Sequence, residues 1–200
     1  TWWWVFMGRT VTDSQTIDQQ ISLDNNRLAY YSGDIIYIYD FNTNITQQIS
    51  TLGGWNVVRL VLRDNFLAYF VYFPFSDSPF DLFLYDLSNG NHMIIKEGID
   101  EIFGIDISNN KIIYGASYFD EVVSKGNISA YDIISGQTTL IAETDFDITL
   151  PFWVNPSPSV SNELVAYNLV APRCYYGIQI YNLTNGQERD IFPPDVGPIL

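Results

Sequence analysis

The stretch Tyr85-Asp86-Leu87-Ser88-Asn89-Gly90 decides the fold of this 200-residue chain, because it returns three more times in related form. A close copy stands at residues 131–136, and shorter versions open with Tyr39-Asp40 and Tyr181-Asn182. The opening tyrosines lie 46, 46 and 50 residues apart. Each Asp or Asn is followed four positions later by Gly or Asn, the residue types that accept a positive φ at low cost. The pattern predicts one tight hairpin turn, repeated four times.

A second motif precedes every copy of the turn: a short apolar strand that ends in tyrosine. Its four forms are Leu28-Ala29-Tyr30, Leu67-Ala68-Tyr69, Ile112-Ile113-Tyr114 and Val165-Ala166-Tyr167. With an alternating strand before it and another strand after the turn, each repeat contains four strands. A strand-built repeat of this length is typical of a propeller blade. The sequence therefore predicts an all-β fold, a β-propeller of four-stranded antiparallel blades with four repeats readable.

The two ends of the chain fit the repeat less well. We take residues 1–16 as an N-terminal aromatic segment around Trp2-Trp3-Trp4, a docking or closing strand, and residues 17–200 as the propeller domain. The ends could combine into an extra or closing blade, four blades could close alone, or the chain could belong to a larger ring. The sequence leaves these three alternatives open.

The composition limits the classes of function. The formal net charge is −14 with nine Lys and Arg residues, so the chain lacks the basic groups that displace counterions from nucleic acid. Aromatic residues make up 16% of the chain, which is typical of a packed core and not of disorder. Cys174 is the single cysteine, so no intramolecular disulfide can form. We expect an acidic, folded protein with no nucleic-acid partner and no membrane span, since the apolar run at Trp2-Trp3-Trp4 is too short to cross a bilayer as a helix.

Three segments resemble the blades of TolB-like and related WD-like β-propellers. They are Asn26-Arg27-Leu28-Ala29-Tyr30, Tyr85-Asp86-Leu87-Ser88-Asn89-Gly90 and Tyr131-Asp132-Ile133-Ile134-Ser135-Gly136. The resemblance covers nearly the whole chain, although the chain has fewer than the usual six or seven blades and lacks the Trp-Asp ending of true WD repeats. Such propellers are mostly extracytoplasmic binding platforms, and some are regulatory domains beside hydrolases. The resemblance therefore implies the fold and, more weakly, a binding function.

In such a propeller, the loops between the second and third strands share one face with the connections between blades. Here these loops vary in length and are rich in aromatic residues, whereas the turns are nearly constant. Exposed aromatics on a rigid scaffold are typical interface anchors and can also stack on sugar rings, but they can equally fold back over the core. The candidate binding residues for a protein or glycan partner are Trp55, Phe75, Phe80, Tyr118, Phe119, Trp153, Tyr175 and Tyr176.

Three sequons match the acceptor pattern for N-glycosylation, which applies only to a secreted protein. Their asparagines are Asn127, Asn44 and Asn182. We expect Asn127 to be the best acceptor, because it follows Gly126 in a predicted loop. Asn44 belongs to an exposed turn. Asn182 is expected to cap its own turn, so its modification would break that bond.

The residue patterns of familiar catalytic sites are missing from the sequence. There is no zinc-ligand spacing and no phosphate-binding glycine loop, and the single histidine, His92, belongs to a predicted strand. We therefore assign no catalytic residue, no metal and no cofactor. The alternative is a glycosidase-like hydrolase with a carboxylate pair, which requires two acids across a cleft. Its candidates are Asp77, Asp81, Asp120, Glu121, Asp145 and Asp147.

The sequence thus favours a non-catalytic, extracellular or surface-exposed β-propeller that binds a protein or glycan through its loop face. One specific form is a structural component of a virion or a cell-surface appendage. In that form the Trp2-Trp3-Trp4 strand would join a neighbour of the same or another kind by strand addition.

Overall fold

The computed structural model describes residues 21–120, 123–146, 157–171 and 175–191. Within these ranges, sixteen strands form four antiparallel sheets of four strands each, which we call blades. The strands of each blade lie side by side in the order of the chain. This confirms the predicted all-β class and the four predicted repeats. The closing strand predicted around Trp2-Trp3-Trp4 lies outside the described residues.

The chain divides into two compact units, Thr1–Glu97 and Gly98–Leu200. Blade 1 consists of β1 (Ile21–Asp24), β2 (Arg27–Ser32), β3 (Ile35–Asp40) and β4 (Ile45–Ser50). Blade 2 consists of β5 (Asn56–Arg63), β6 (Phe66–Tyr72), β7 (Phe80–Asp86) and β8 (Asn91–Ile99). Blade 3 consists of β9 (Glu101–Ser108), β10 (Lys111–Asp120), β11 (Val123–Asp132) and β12 (Gln137–Phe146). Blade 4 consists of β13 (Ser159–Ser161), β14 (Leu164–Ala171), β15 (Tyr175–Asn182) and β16 (Glu188–Ile191).

The repeated turn between the third and fourth strands has the predicted geometry. Its left-handed position is occupied by Asn44, Gly90, Gly136 and Gly186, with φ of 56°, 75°, 70° and 68°. In blade 3, Oδ1 of Asp132 accepts hydrogen bonds from the backbone amides of Ile134 and Ser135, at 3.1 and 2.8 Å. In blade 4, Oδ1 of Asn182 accepts the amides of Thr184 and Asn185 in the same way, at 2.8 and 3.3 Å. The expectation that Asn182 caps its own turn is confirmed.

We predict that Asp132→Ala lowers the free energy of unfolding by about 1 kcal/mol, because the side-chain acceptor of two turn amides is lost. Asp132→Asn is the matched control, since blade 4 carries Asn at the equivalent place and an amide oxygen still accepts both bonds.

The amide of Ser135 holds the pKa of Asp132 below its usual range. A carboxyl with a lowered folded-state pKa stabilises the fold above its unfolded pKa, and this contribution is lost as the pH falls through the folded value. Urea unfolding at neutral and acid pH should therefore show less acid sensitivity in Asp132→Asn than in the natural chain, and equal sensitivity would contradict the assignment.

Two strands of blade 3 are longer than the sequence predicted. The segment between Tyr114 and Tyr131 was expected to contain a long loop, but β10 and β11 pair continuously from Lys111↔Asp132 to Asp120↔Val123. The prediction that Tyr118 and Phe119 lie in a loop is therefore wrong, and both belong to β10. Asn127 likewise lies within β11 and not in a loop. The cause is that cross-strand pairing extends past the tyrosines, which sequence periodicity alone places at the strand ends.

Blades 1 and 2 pack face to face through apolar side chains. In blades 1 and 3 we call the side that contacts the following blade the leading face and the opposite side the trailing face, and the faces of blades 2 and 4 are named by the same strand register. The leading face of blade 1 contributes Ala29, Ile36, Ile38 and Ile49 to the shared core. The trailing face of blade 2 contributes Leu60, Leu62, Leu67, Tyr69, Phe83 and Tyr85. Aliphatic side chains on one blade thus meet larger aliphatic and aromatic ones on the next.

Polar side chains of β1 bind the backbone of β5 at the edge of this interface. The carboxylate of Asp24 accepts a hydrogen bond from the amide of Asp64 at 2.7 Å, and Oγ of Ser22 accepts the amide of Leu62 at 2.9 Å. The same carboxylate pairs with Arg27 at 3.3 Å and with Arg63 at 3.5 Å. We call Ser22 and Asp24 the clamp, because they fix the register of one blade against the next.

The second unit repeats this arrangement independently. The carboxylate of Asp106 accepts the amide of Val160 at 2.9 Å, and Oγ of Ser108 accepts the amide of Asn162 at 3.0 Å. The leading face of blade 3 supplies Ile113, Ile128, Ala130 and Ile141, which pack against Val160, Val165 and Tyr167 on the trailing face of blade 4. Each unit therefore contains one blade interface of the same construction.

Candidate functional site

An aromatic cluster lies at one end of blade 2, where the β6–β7 loop meets the connection from blade 1. The rings of Trp55 and Phe73 are 5.5 Å apart between centroids and tilted by 56°. On the opposite face of the same end of the blade, Tyr72 and Phe80 pair across β6 and β7 with centroids 5.3 Å apart. Phe75 projects from the loop with 93% of its surface exposed. We call Trp55, Tyr72, Phe73, Phe75 and Phe80 the aromatic loop cluster.

Hydrogen bonds within the β6–β7 loop hold its shape. The amide of Phe73 donates to the carbonyl of Pro79 at 2.7 Å, which closes the base of the loop. Inside the loop, the hydroxyl of Ser76 donates to the carbonyl of Ser78 at 3.0 Å. The amide of Ser76 also donates to the carbonyl of Phe73 at 3.3 Å. The exposed ring of Phe75 is thus carried by a loop whose backbone is already ordered.

The connection before β5 positions the indole of Trp55. The hydroxyl of Thr51 donates to the carbonyl of Trp55 at 2.9 Å, across a single 3-10 turn at Leu52–Gly54. Gly53 has a φ of 82° in this turn, and a Cβ at that position would lie 2.8 Å from Cδ1 of Trp55. Glycine is therefore required here both by the backbone and by the ring beside it.

Three of the predicted binding residues, Trp55, Phe75 and Phe80, lie at this one end of blade 2, and the others lie elsewhere. The contact between Trp55 and Phe73 shows that the β6–β7 loop and the connection between blades meet there, as predicted. Tyr118 and Phe119 lie on β10 in the second unit. Tyr175 and Tyr176 lie on β15 and not in a loop, and Trp153 falls outside the described residues. Whether these residues bind a partner stays a prediction.

The sequence places Phe73 in the aromatic loop before Phe75 but did not select it as a binding residue, and it did not single out Tyr72. Tyr72 ends a strand that reads as core, and the contacts of both rings depend on which residues face them across β7 and from the connection. The run from Tyr69 to Phe75 holds five aromatics and was the available signal, but it does not distinguish buried from exposed positions.

Two titratable groups with raised pKa values, Glu101 and Tyr118, lie in the second unit and outside the aromatic loop cluster. In the second unit, desolvation raises the pKa of Glu101, and the charge of Asp100 adds to the effect. Asp100 directly precedes Glu101 in the chain, so the two are not the cleft-spanning pair that a glycosidase uses. Burial also raises the pKa of Tyr118 well above its usual range. Within the described ranges, no group of three or more His, Cys, Asp or Glu side chains could hold a metal ion, and no helix could cross a membrane.

Comparison with solved structures shows which fold this arrangement belongs to. The chain superimposes with a TM-score of 0.59 on the β-propeller domain of the Trilobed protease from Pyrococcus furiosus, at 13% sequence identity. It superimposes on TolB from Acinetobacter baumannii with a TM-score of 0.58 at 14% identity. The chain has a β-propeller fold. It covers 56% of the first structure and 43% of the second, with 86% and 88% of its own residues matched.

A third propeller match is the acylaminoacyl peptidase from Pyrococcus horikoshii, with a TM-score of 0.59 at 12% identity. The propeller described here covers 32% of that chain. No protein-family model matches the sequence, and no curated protein matches it in sequence. The likeness therefore establishes the propeller fold and its resemblance to TolB, while the function has to be argued from the site.

Proposed function

We propose that this propeller is a non-catalytic binding module that engages a protein partner through the aromatic loop cluster. The observation that carries the proposal is the position of Phe75, a large apolar side chain almost fully exposed at the tip of an ordered loop. Aromatic side chains of this kind contribute much of the affinity of protein interfaces when they enter a partner's pocket. Because the loop is held by its own hydrogen bonds, little conformational entropy is lost when a partner binds.

The surroundings of Phe75 support a contact surface and not a reaction centre. Trp55 and Phe80, at the same end of blade 2, are partly buried and add apolar surface to this end of the blade. Asp77 is exposed in the same loop, and Asp81 is partly buried at the start of β7. The chain is acidic as a whole, with a net charge of −14. These features favour a partner with an apolar pocket and a basic rim.

The proposal is tested with peptides selected on the purified propeller from a random library displayed on phage. We expect Phe75→Ser to weaken binding of the selected peptides by at least about tenfold, as for an anchor residue of an interface. Phe41→Ser is the matched control, because Phe41 is half exposed in the β3–β4 turn, away from the cluster. Binding that survives Phe75→Ser, or a library that yields no binder, would overturn the proposal. Competition by soluble oligosaccharides such as cellohexaose would instead assign the cluster to a glycan.

We also propose an exterior setting for the propeller, as a surface component of a cell appendage or a virion. The supporting features are its sequons and its acidic, lysine-poor surface. Asn44 replaces Asn127 as the preferred acceptor, because Asn44 is exposed in a turn whereas Oδ1 of Asn127 is buried within a strand of blade 3. Intact mass of the protein from its native source should show hexose-containing increments that Asn44→Gln removes. A native mass without added sugar would remove the support that the sequons give to this setting.

A further inference from the structure

The trailing face of blade 1 is built like an interior surface, but it is exposed. Its inner strand carries Ile21 and Leu23, each 63% exposed. The residues at the same register positions of blade 2 are Leu60 and Leu62, which are 1% and 0% exposed because blade 1 covers them. The same two repeat positions are thus apolar in both blades, buried in one and open to solvent in the other.

The aromatic part of this face also matches its buried counterpart. Tyr30 and Tyr37 stack across β2 and β3 with centroids 5.1 Å apart and an interplanar angle of 13°. In blade 2, Tyr69 and Phe83 occupy the same register positions and stack at 5.5 Å with an angle of 14°. The trailing face of blade 1 therefore has the shape and chemistry of the surface that the leading face of a blade covers elsewhere in this chain.

The leading face of blade 4 is the complementary surface. By strand register, four of its residues match those with which blade 1 covers blade 2, and the residue types are identical. The matched pairs are Ala166 with Ala29, Ile178 with Ile36, Ile180 with Ile38, and Ile191 with Ile49. In blade 1, Ile36 and Ile49 are 0% and 3% exposed, whereas Ile178 and Ile191 are 45% and 44% exposed.

Blade 4 carries serines at the two clamp positions. Ser159 and Ser161 stand at the register positions of Ser22 and Asp24, and both are exposed. A serine at this position can act as a clamp, since Oγ of Ser22 and Oγ of Ser108 both accept a backbone amide. The hydroxyl of Ser159 donates to the carboxylate of Asp106 in blade 3 at 3.2 Å, so Ser159 is engaged on the side of the preceding blade, and Ser161 is the serine placed to bind a following one.

We propose that the leading face of blade 4 binds the trailing face of blade 1 of a second copy of this chain. The contact repeats, between copies, the interface that blade 1 makes with blade 2: Ile178 and Ile191 cover Tyr30 and Leu23, and Ser161 accepts the amide of Asn25. A second copy is the occupant because the two exposed faces are unlike halves of one interface, and a single sequence carries both. Like faces would bring two aromatic or two clamp-bearing surfaces together, which neither unit of the chain does.

This association is head-to-tail, since each copy uses a different surface on either side. It does not depend on the proposed binding function, because none of its residues belongs to the aromatic loop cluster. A charge placed on either face should break it, since an unpaired carboxylate would be buried among apolar side chains.

The test measures the mass of the full 200-residue chain by size exclusion with light scattering, at tens of micromolar protein. We expect the natural chain to show at least twice the monomer mass of 22.9 kDa. Leu23→Glu on the trailing face and Ile178→Glu on the leading face should each weaken the association by at least about tenfold. Ile134→Glu is the matched control, because Ile134 is an exposed isoleucine in a turn, outside both faces, and its variant should associate like the natural chain.

Mixing the two variants gives the decisive result. The Leu23→Glu variant keeps the leading face of blade 4 intact, and the Ile178→Glu variant keeps the trailing face of blade 1 intact. An equimolar mixture should therefore form a dimer that neither variant forms alone. Far-ultraviolet circular dichroism checks that each variant is folded, and Leu23→Ser with Ile178→Ser replaces the pair if a glutamate variant is not. A monomeric natural chain would overturn the proposal in favour of another occupant of these faces, and so would an association that Leu23→Glu leaves unchanged or a mixture that stays monomeric.

Discussion

Asp24→Ala lowers the free energy of unfolding by about 2–3 kcal/mol, because the central acceptor of the blade 1–blade 2 clamp is removed. The side chain of Asp24 is only 5% exposed, and its carboxylate binds the amide of Asp64 as well as Arg27 and Arg63. Without it, the amide of Asp64 loses its charged partner inside the interface. Both arginines are more exposed than Asp24 and can be hydrated, so the loss is smaller than for a fully buried ion pair.

The clamp prediction is checked by urea unfolding at constant m-value. Asp24→Asn keeps one acceptor oxygen and should lose about half as much stability. Asp64→Asn is the control, because the clamp binds the backbone of Asp64 and not its side chain, and Asn tolerates its φ of 49°. We expect Asp64→Asn to stay within about 0.5 kcal/mol of the natural chain. An Asp24→Ala midpoint equal to that of Asp64→Asn would show that the clamp adds nothing to stability.

Tyr69→Ala has the largest expected effect, a loss of about 4 kcal/mol, because it removes a fully buried ring from the core between blades 1 and 2. Tyr69 stacks on Phe83, and its hydroxyl makes a 2.9 Å hydrogen bond with Nδ1 of His92. Tyr69→Phe keeps the ring and loses only this bond, so it should cost about 1 kcal/mol. The two variants thus separate the packing of the ring from the hydrogen bond, and equal losses would contradict this division.

Protonation of His92, which contacts Tyr69, should make the free energy of unfolding depend on pH. Burial lowers the pKa of His92 from its usual 6.5, so the folded state resists protonation more than the unfolded state does. The stability associated with neutral His92 is therefore present above the unfolded pKa and is lost as the pH falls through the folded value. Urea midpoints measured below and above pH 6.5 should show that His92→Phe loses less stability in acid than the natural chain does.

The local features of the fold could be read from the sequence because they depend on neighbouring residues. Asn44 and Gly90 mark left-handed turn positions, and Asp132 and Asn182 supply acceptors two and three residues away. Such interactions are decided within one turn. The end of β10 could not be read in this way, because the pairing of Asp120 with Val123 is a property of two strands. The glycines of the segment, Gly115 and Gly126, lie within the paired strands and do not mark where pairing stops.

The clamp and the site needed the tertiary structure for a related reason. In the sequence, Asp24 looks like one more acid at a turn, and its partner Asp64 lies 40 residues later. The sequence identified Trp55, Phe75 and Phe80 as binding candidates by their place between strands. It did not predict the contacts of Tyr72 and Phe73, since only the register of β6 on β7 pairs Tyr72 with Phe80, and only the return of the blade connection brings Trp55 to Phe73.

The order of the strands has a consequence for how the protein is made. Every strand of a blade pairs with its neighbour in the chain, so a blade can form as soon as its last strand has left the ribosome. The clamp of blade 1 then points at a strand that has not yet been synthesised, and blade 3 stands in the same relation to blade 4. Blades 1 and 3 thus each offer the blade that follows them a template with fixed register, so that within each unit synthesis and folding proceed in the same direction.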